Sequence, residues 1–171
     1  GKPALPISYP FYYSMYLSKL LGSYATLGLA EDTWALNERV IDEKLFLDQA
    51  YKNHDEREQM FFNALDKTKK GFCVCVFDTP DRTQHMFMRY LDDKHPANIG
   101  KDTEIHKNAI EEIYIKMDNL AGKVIKKITN DDVFMVMYDH GFKQFKRGVN
   151  LNTWLLDNGY LYLKDDKKEG G

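Results

Sequence analysis

Two short polar segments of this chain place a carboxylate beside an imidazole. The first reads Asp81-Arg82-Thr83-Gln84-His85, and the second reads Asp139-His140-Gly141. Carboxylate and imidazole groups are ligands of Zn²⁺, Mn²⁺ and Fe in proteins. Two such ions about 4 Å apart can hold the attacking and leaving oxygens of a phosphoryl group. The residue types and their pairing therefore predict a two-metal site.

The two segments differ in how specific they are. Asp81 and His85 are four residues apart, so on a helix both side chains lie on one face and can grip one cation. This spacing also arises by chance, and a surface Asp near a solvated His is the alternative. Asp139 and His140 are more specific, because a charged pair ends an apolar run abruptly and Gly141 allows close backbone approach. Each segment strengthens the interpretation of the other.

Apolar runs directly before the two segments predict the elements that position them. Residues 72–77 and 133–138 are short, uncharged and rich in aromatic or β-branched side chains, as buried central strands are. A long amphipathic helix is predicted between them, with a cap at Asp102 or Thr103. Its apolar positions are Ile105, Ala109, Ile113, Leu120, Val124 and Ile128. Such a crossover joins parallel strands, so we expect both Asp/His pairs at the carboxyl edge of one sheet.

Apolar spacing and capping residues also predict the remaining elements. These are helices at 11–21, 32–50, 53–65 and 150–158, and a brief strand at 160–163. The sequence is interpreted as one domain over residues 1–171. Within it, residues 1–70 form a helical lead-in and residues 71–163 form a βαβ portion that bears the metal ligands.

Composition restricts the class of protein and partner. With 171 residues and 43% hydrophobic content, the chain can bury the core of one domain. A net charge of −2 gives no basic field for nucleic acid. No apolar stretch reaches the roughly 20 residues that span a bilayer, so a soluble chain without a membrane segment is expected. Cys73 and Cys75 are interpreted as free thiols, which favours the cytoplasm, although the compartment of the full-length protein stays open.

The local sequence context predicts the environment of several other residues. His54, His95 and His106 are predicted to be solvated surface residues. Trp34 and Trp154 are predicted to anchor the core.

Arg89 follows the first segment by one helical turn. Its guanidinium could bind a substrate phosphate. The alternative is an ion pair with a neighbouring acid such as Asp92 or Asp93.

Longer stretches around these motifs resemble the type I phosphodiesterase/nucleotide pyrophosphatase family of the alkaline phosphatase superfamily, from about Pro10 to the end of the sequence. They are residues 77–90, 137–142, 147–155 and 159–161. The resemblance implies an α/β fold, an alkaline-phosphatase-like α/β/α sandwich with a mostly parallel central sheet, here incomplete at the N-terminal and C-terminal ends. It also implies two divalent ions, Zn²⁺ or alternatively Mn²⁺. Asp81 and His85 would bind one ion, and Asp139 and His140 the other.

The resemblance further implies a metal-dependent hydrolase that acts on a small phosphate ester or a nucleotide. The family uses a Thr or Ser nucleophile, an early Asp and a late His, and the motifs here match none of these. Tyr138 stands where the family usually has Ser before Asp-His-Gly. We therefore expect a central-to-late portion of a longer domain, with little turnover alone. The alternatives are a sulfatase-like or phosphoglycerate-mutase-like member of the superfamily, and a non-catalytic remnant or interaction module.

Overall fold

A computed structural model of the chain describes residues 7–26 and 30–164. Within these ranges the regular structure is helical. The α-helices are α1 (Tyr13–Leu21), α2 (Thr33–Asn37), α3 (Glu43–Lys67), α4 (Thr79–Phe87), α5 (Ala109–Ile125) and α6 (Leu151–Asp157), and single 3₁₀ turns lie at Met88–Leu91, Pro96–Asn98 and Glu104–His106. No helix of the described part is long and apolar enough to span a bilayer.

Side-chain caps explain where several helices begin. Asp32 Oδ1 accepts a hydrogen bond of 2.8 Å from the Ala35 amide at the start of α2, and Asn150 Oδ1 accepts one of 3.1 Å from Thr153 at the start of α6. These bonds satisfy amides that the first helical turn leaves without partners. The predicted starts of these two helices, at residues 32 and 150, are therefore confirmed, and Asp32 rather than Thr33 is the cap of α2.

Residues 32–65 contain two helices, as predicted, but the break between them lies earlier in the chain than expected. The chain turns between α2 and α3, and Asp42 Oδ1 caps α3 through a 2.8 Å bond from the Leu45 amide. From there α3 continues for 25 residues, through the position where a new helix was expected. Asn53 and Asp55 are residue types that can cap a helix. Here they lie inside α3, whose backbone hydrogen bonds continue past them.

The core lies where α4 packs against α3 and α5. Phe46 of α3 and Phe87 of α4 are fully buried, with ring centroids 6.1 Å apart. Ala109 and Ile113 of α5 are also buried. Full burial of a Phe or Ile side chain stabilises the fold by about 1.5–3 kcal/mol. This packing fixes α4, the helix that carries the first Asp/His pair.

The predicted α/β/α sandwich with a mostly parallel central sheet is wrong for the described residues, which contain no β-strand. In residues 72–77 exposed and half-buried side chains alternate as they do along a strand, whereas residues 133–138 are exposed throughout. Neither run makes a backbone–backbone hydrogen bond in the described part. A strand is stable only when a neighbour satisfies its backbone groups, and neither run has one. The predicted strand at 160–163 is also absent from the described residues. The amides of Tyr160 and Leu161 instead donate to the Leu155 carbonyl of α6, at 2.9 and 3.1 Å.

The two tryptophans do not anchor the core. Trp34 is 73% exposed, because α2 turns Ala35 and Leu36 inward instead. Trp154 is 50% exposed and stacks on Tyr160, with 5.9 Å between the ring centroids.

Candidate metal centre

Helix α4 presents the first Asp/His pair on one face. Pro80 lies in its first turn, where an amide donor is not needed. Asp81 follows in the same turn, where the helix dipole favours a carboxylate. Asp81 Oδ1 lies 3.4 Å from His85 Nε2, as the four-residue spacing predicted. The beginning of α4 is tied to α3 by the ion pair between Arg57 and Asp78 at 2.5 Å.

The second segment approaches the same carboxylate. His140 Nε2 lies 3.7 Å from Asp81 Oδ1, so this oxygen is within 4 Å of two imidazoles that come from distant parts of the chain. Asp139 Oδ2 lies 3.8 Å from His140 Nε2, and its side chain is 85% exposed. The structure therefore brings Asp81, His85 and His140 together and leaves Asp139 at the edge of the cluster.

Phe142 packs against both imidazoles. Its ring meets His85 edge-on, with 4.9 Å between centroids, and is tilted against His140 at 5.3 Å. Edge-to-face contacts of this kind restrict the orientation of the rings that make them. An apolar group therefore supports the two candidate ligands on one side.

Tyr138, directly before the second pair, is hydrogen-bonded to α4. Gln84 Nε2 donates to the Tyr138 hydroxyl at 3.1 Å, and the Tyr114 hydroxyl of α5 donates to Gln84 Oε1 at 3.2 Å. Burial raises the pKa of Tyr138 above its usual value, while the bond from Gln84 opposes this change. Tyr138, the residue that departs from the family pattern, thus connects the second segment to the helix of the first.

His95 contacts the chain just after the second segment, and the sequence did not reveal this contact. It was predicted to be solvated, but it is buried. Its Nδ1 accepts a 3.2 Å bond from the Ala97 amide, so the neutral ring carries its proton on Nε2 and donates it to the Phe145 carbonyl at 2.7 Å. Its position before Pro96 indicated a turn, but its burial depends on a segment fifty residues later.

Next to this contact, Lys146 Nζ pairs with Asp92 Oδ2 at 2.7 Å. The hydrogen bond from Lys146 lowers the pKa of Asp92. Since Asp92 is engaged in this way, it is not the partner of Arg89.

A cleft of about 410 Å³ lies between α4 and the second segment. It is lined by Gln84, His85, Met88, Arg89, His95, Ala97, His140, Gly141, Phe142, Lys143 and Phe145. The volume is within the range of small-ligand sites, and no carboxylate is among the lining residues. Arg89 pairs with Glu43 Oε1 at 3.0 Å rather than with Asp92 or Asp93. Apart from the histidines, the ionisable side chains of the lining are Arg89 and Lys143, and both are basic.

Neither of the other two histidines lines this cleft. His54 was predicted to be solvated but is fully buried, with its ring 5.4 Å from that of Phe77. His106 is half-buried, with its ring against Phe87 and Tyr90. The surface prediction is therefore wrong for His54.

The donor types of the cluster suit a divalent ion, since one carboxylate and two imidazoles are a donor set that Zn²⁺ accepts. In the described part of the chain, however, no group of three or more His, Cys, Asp or Glu is arranged to hold a metal ion. Asp81 lies within 4 Å of His85, and Asp139 lies within 4 Å of His140. In addition, His140 Nε2 is 3.7 Å from Asp81 Oδ1, so one carboxylate is near both candidate histidines. The residue types fit a metal, and in their present arrangement the carboxylates and imidazoles contact one another at 3.4–3.8 Å.

Comparison with known proteins agrees with the resemblance. Neither a search of curated proteins nor a search of solved structures found a match. The sequence profile of the family described as Type I phosphodiesterase / nucleotide pyrophosphatase matches residues 8–170. Its members hydrolyse phosphate esters, act on small phosphate esters or nucleotides, and are generally metal-dependent. This chain therefore belongs to the type I phosphodiesterase/nucleotide pyrophosphatase family.

Proposed function

We propose that this chain carries part of the two-metal centre of a phosphate ester hydrolase. Asp81 and His85 are the proposed ligands of one divalent ion, and Asp139 and His140 are those of the other. The observation that supports the proposal best is the convergence of both segments, with Asp81 Oδ1 within 4 Å of His85 Nε2 and His140 Nε2. Zn²⁺ suits this donor set best, and Mn²⁺ is the alternative.

In the proposed site, the metal ions and the side chains of the chain have different roles. A bound divalent ion supplies positive charge that stabilises the oxygens of a phosphoryl group. Asp81, which interacts with two imidazoles, keeps these candidate ligands close to one another. Phe142 shields one side of the imidazoles from water.

We also propose that the Thr or Ser nucleophile lies outside this sequence, because no motif here matches the one that the family uses. Under this proposal the purified chain binds metal weakly and turns over little. Robust hydrolysis of p-nitrophenyl phosphate esters by the chain alone would contradict it.

Metal titration tests the proposed ligands. Zn²⁺ is titrated calorimetrically into metal-free protein, and we expect saturable binding. Asp81→Ala and Asp139→Ala should each weaken it by at least about tenfold, since even the loss of an outer-shell partner weakens metal binding by 10–100-fold. Asp118→Ala, which removes an exposed carboxylate of α5 outside the cluster, should bind like the wild type. Equal affinities of all three variants would refute the assignment.

We propose that Arg89 helps the cleft to bind the phosphate group of the substrate. The support is its place in the cleft lining and the ion pair with Glu43, which fixes its side chain. Inorganic phosphate is the probe, titrated into Zn²⁺-loaded protein. Arg89→Met should bind it more weakly than Lys52→Met, which removes an exposed charge of α3 outside the lining. Unchanged phosphate binding in Arg89→Met would exclude this role.

The second candidate is a non-catalytic remnant or interaction module. It is favoured because no group of three or more His, Cys, Asp or Glu in the described residues is arranged to hold a metal ion, and because Tyr138 stands in place of Ser. It predicts no Zn²⁺ binding and unchanged melting temperatures on Asp81→Ala and Asp139→Ala. The family match favours phosphodiesterase chemistry over the sulfatase-like and mutase-like alternatives.

A further inference from the structure

The segment 138–146, which carries the second Asp/His pair, is irregular. No backbone–backbone hydrogen bond holds it in the described part of the chain. Most of its residues are exposed, so hydrophobic burial does not fix it either. Its place beside α4 must therefore depend on side-chain contacts.

The first of these contacts is at the beginning of the segment. The Gln84 amide donates to the Tyr138 hydroxyl at 3.1 Å and to the Pro80 carbonyl at 3.1 Å, and it accepts from Tyr114 at 3.2 Å. Gln84 is buried, and bonds on both sides of its amide fix its orientation. It therefore offers Tyr138 a rigid donor on the helix that carries Asp81.

The second contact is near the end of the segment. His95 holds the Phe145 carbonyl at 2.7 Å, and its other ring nitrogen is fixed by the Ala97 amide. The ion pair between Lys146 and Asp92 at 2.7 Å adds a tie to the same loop. Because His95 is buried with both nitrogens engaged, its ring has a single orientation.

We infer that Gln84 and His95 are positioning residues that hold the segment 138–146 so that His140 stays beside Asp81. They act through Tyr138 and Phe145 and do not themselves bind a metal ion. The link to metal binding rests on the proposed function, whereas the anchoring is a property of the metal-free chain.

Nuclear magnetic resonance relaxation of the metal-free protein tests the His95 contact. We expect backbone order parameters of about 0.85 for residues 139–145 in the wild type, and below about 0.6 in His95→Leu. His95→Gln should restore order, because its amide can donate to Phe145 in place of Nε2. His106→Leu is the matched control, since it removes a half-buried ring that makes no contact with the segment.

Tyr138→Phe tests the Gln84 contact without disturbing the core, because Tyr138 is exposed. Loss of the hydroxyl should lower the order parameters of residues 139–141. It should also weaken Co²⁺ binding by about tenfold and change the visible spectrum of the bound ion. Tyr160→Phe, an exposed tyrosine outside the segment, should leave both readouts unchanged.

The outcomes separate the inference from the proposed function. Low order parameters in the wild type, or equal ones in His95→Leu and His106→Leu, would overturn the inference. A rigid segment that loosens in His95→Leu and Tyr138→Phe supports it. If such a segment is found and the wild type binds no Co²⁺, the anchoring is supported and the proposed function is refuted.

Discussion

The buried His54 side chain leads us to expect that the stability of this protein depends on pH. The side chain lies on α3 and is fully buried, and neither ring nitrogen has a hydrogen-bond partner. Burial lowers its pKa, and the positive charge of Lys116 lowers it further. Glu58, 3.8 Å away, opposes this change, as does Asp55, whereas Arg57 adds to it. Glu58 is also paired with Lys123 at 2.5 Å.

The lowered pKa of His54 determines whether stability rises or falls with pH. The folded protein keeps His54 neutral, while the unfolded chain binds a proton below its usual pKa of about 6.5. Stability is therefore complete above about pH 6.5 and falls as the pH drops toward the folded-state pKa. One proton contributes at most about 1.4 kcal/mol per pH unit, so the loss between pH 6.5 and 5.0 is at most about 2 kcal/mol. The unpartnered nitrogens cost a further 1–3 kcal/mol or so at any pH.

His54→Leu removes both effects. We expect it to raise the free energy of unfolding by about 1–3 kcal/mol at pH 7.5. Its stability should also fall less than that of the wild type between pH 7.5 and 5.0, by up to about 2 kcal/mol. Urea unfolding of the wild type, His54→Leu and the control His106→Leu at both pH values measures this. An equal loss in wild type and His54→Leu would refute the reasoning.

The remaining predictions concern stability. Asp42→Ala removes the cap of α3 and should lower the free energy of unfolding by about 1 kcal/mol, seen as a fall in melting temperature of roughly 2–4 °C. Phe87→Ala should lower it by about 3–5 kcal/mol in urea unfolding, because the ring is fully buried, whereas Phe145→Ala should change it by less than about 0.5 kcal/mol. Tyr90→Phe removes the 2.7 Å bond to the Glu43 carboxylate and should lower it by about 1.5–3 kcal/mol in the same assay.

Each of these has an outcome that contradicts it. An unchanged melting temperature in Asp42→Ala would mean that the cap contributes nothing. Similar losses in Phe87→Ala and Phe145→Ala would place the core elsewhere. Full stability of Tyr90→Phe would mean that water replaces the hydroxyl at Glu43.

Features set by neighbouring residues could be predicted from the sequence. The caps at Asp32 and Asn150 bind amides three residues away, and Gly22 ends α1 with φ of 84°. The four-residue spacing of Asp81 and His85 required only that the segment be helical, which it is. In these cases the interacting residues are separated by no more than one or two helical turns of sequence.

Features that depend on distant contacts could not be predicted in this way. Residues 72–77 and 133–138 have the composition of strands, but a strand needs a partner, and the described residues provide none. The burial of His54 and His95 depends on segments packed from elsewhere in the chain. The sequence predicted that the two Asp/His segments meet, but attributed this to a sheet edge. In the structure, the second segment instead contacts Gln84 of α4 through Tyr138 and His95 through the Phe145 carbonyl.

The exposed run at 133–138 also affects how the protein behaves in concentrated solution. Val133, Met135, Val136 and Met137 are each more than 60% exposed, and no backbone–backbone bond satisfies their amides and carbonyls in the described part of the chain. An uncharged segment of this kind is a template for intermolecular β-pairing. Self-association on concentration is therefore expected to begin here, and a single lysine introduced at Val136 should suppress it by placing charge along the pairing edge.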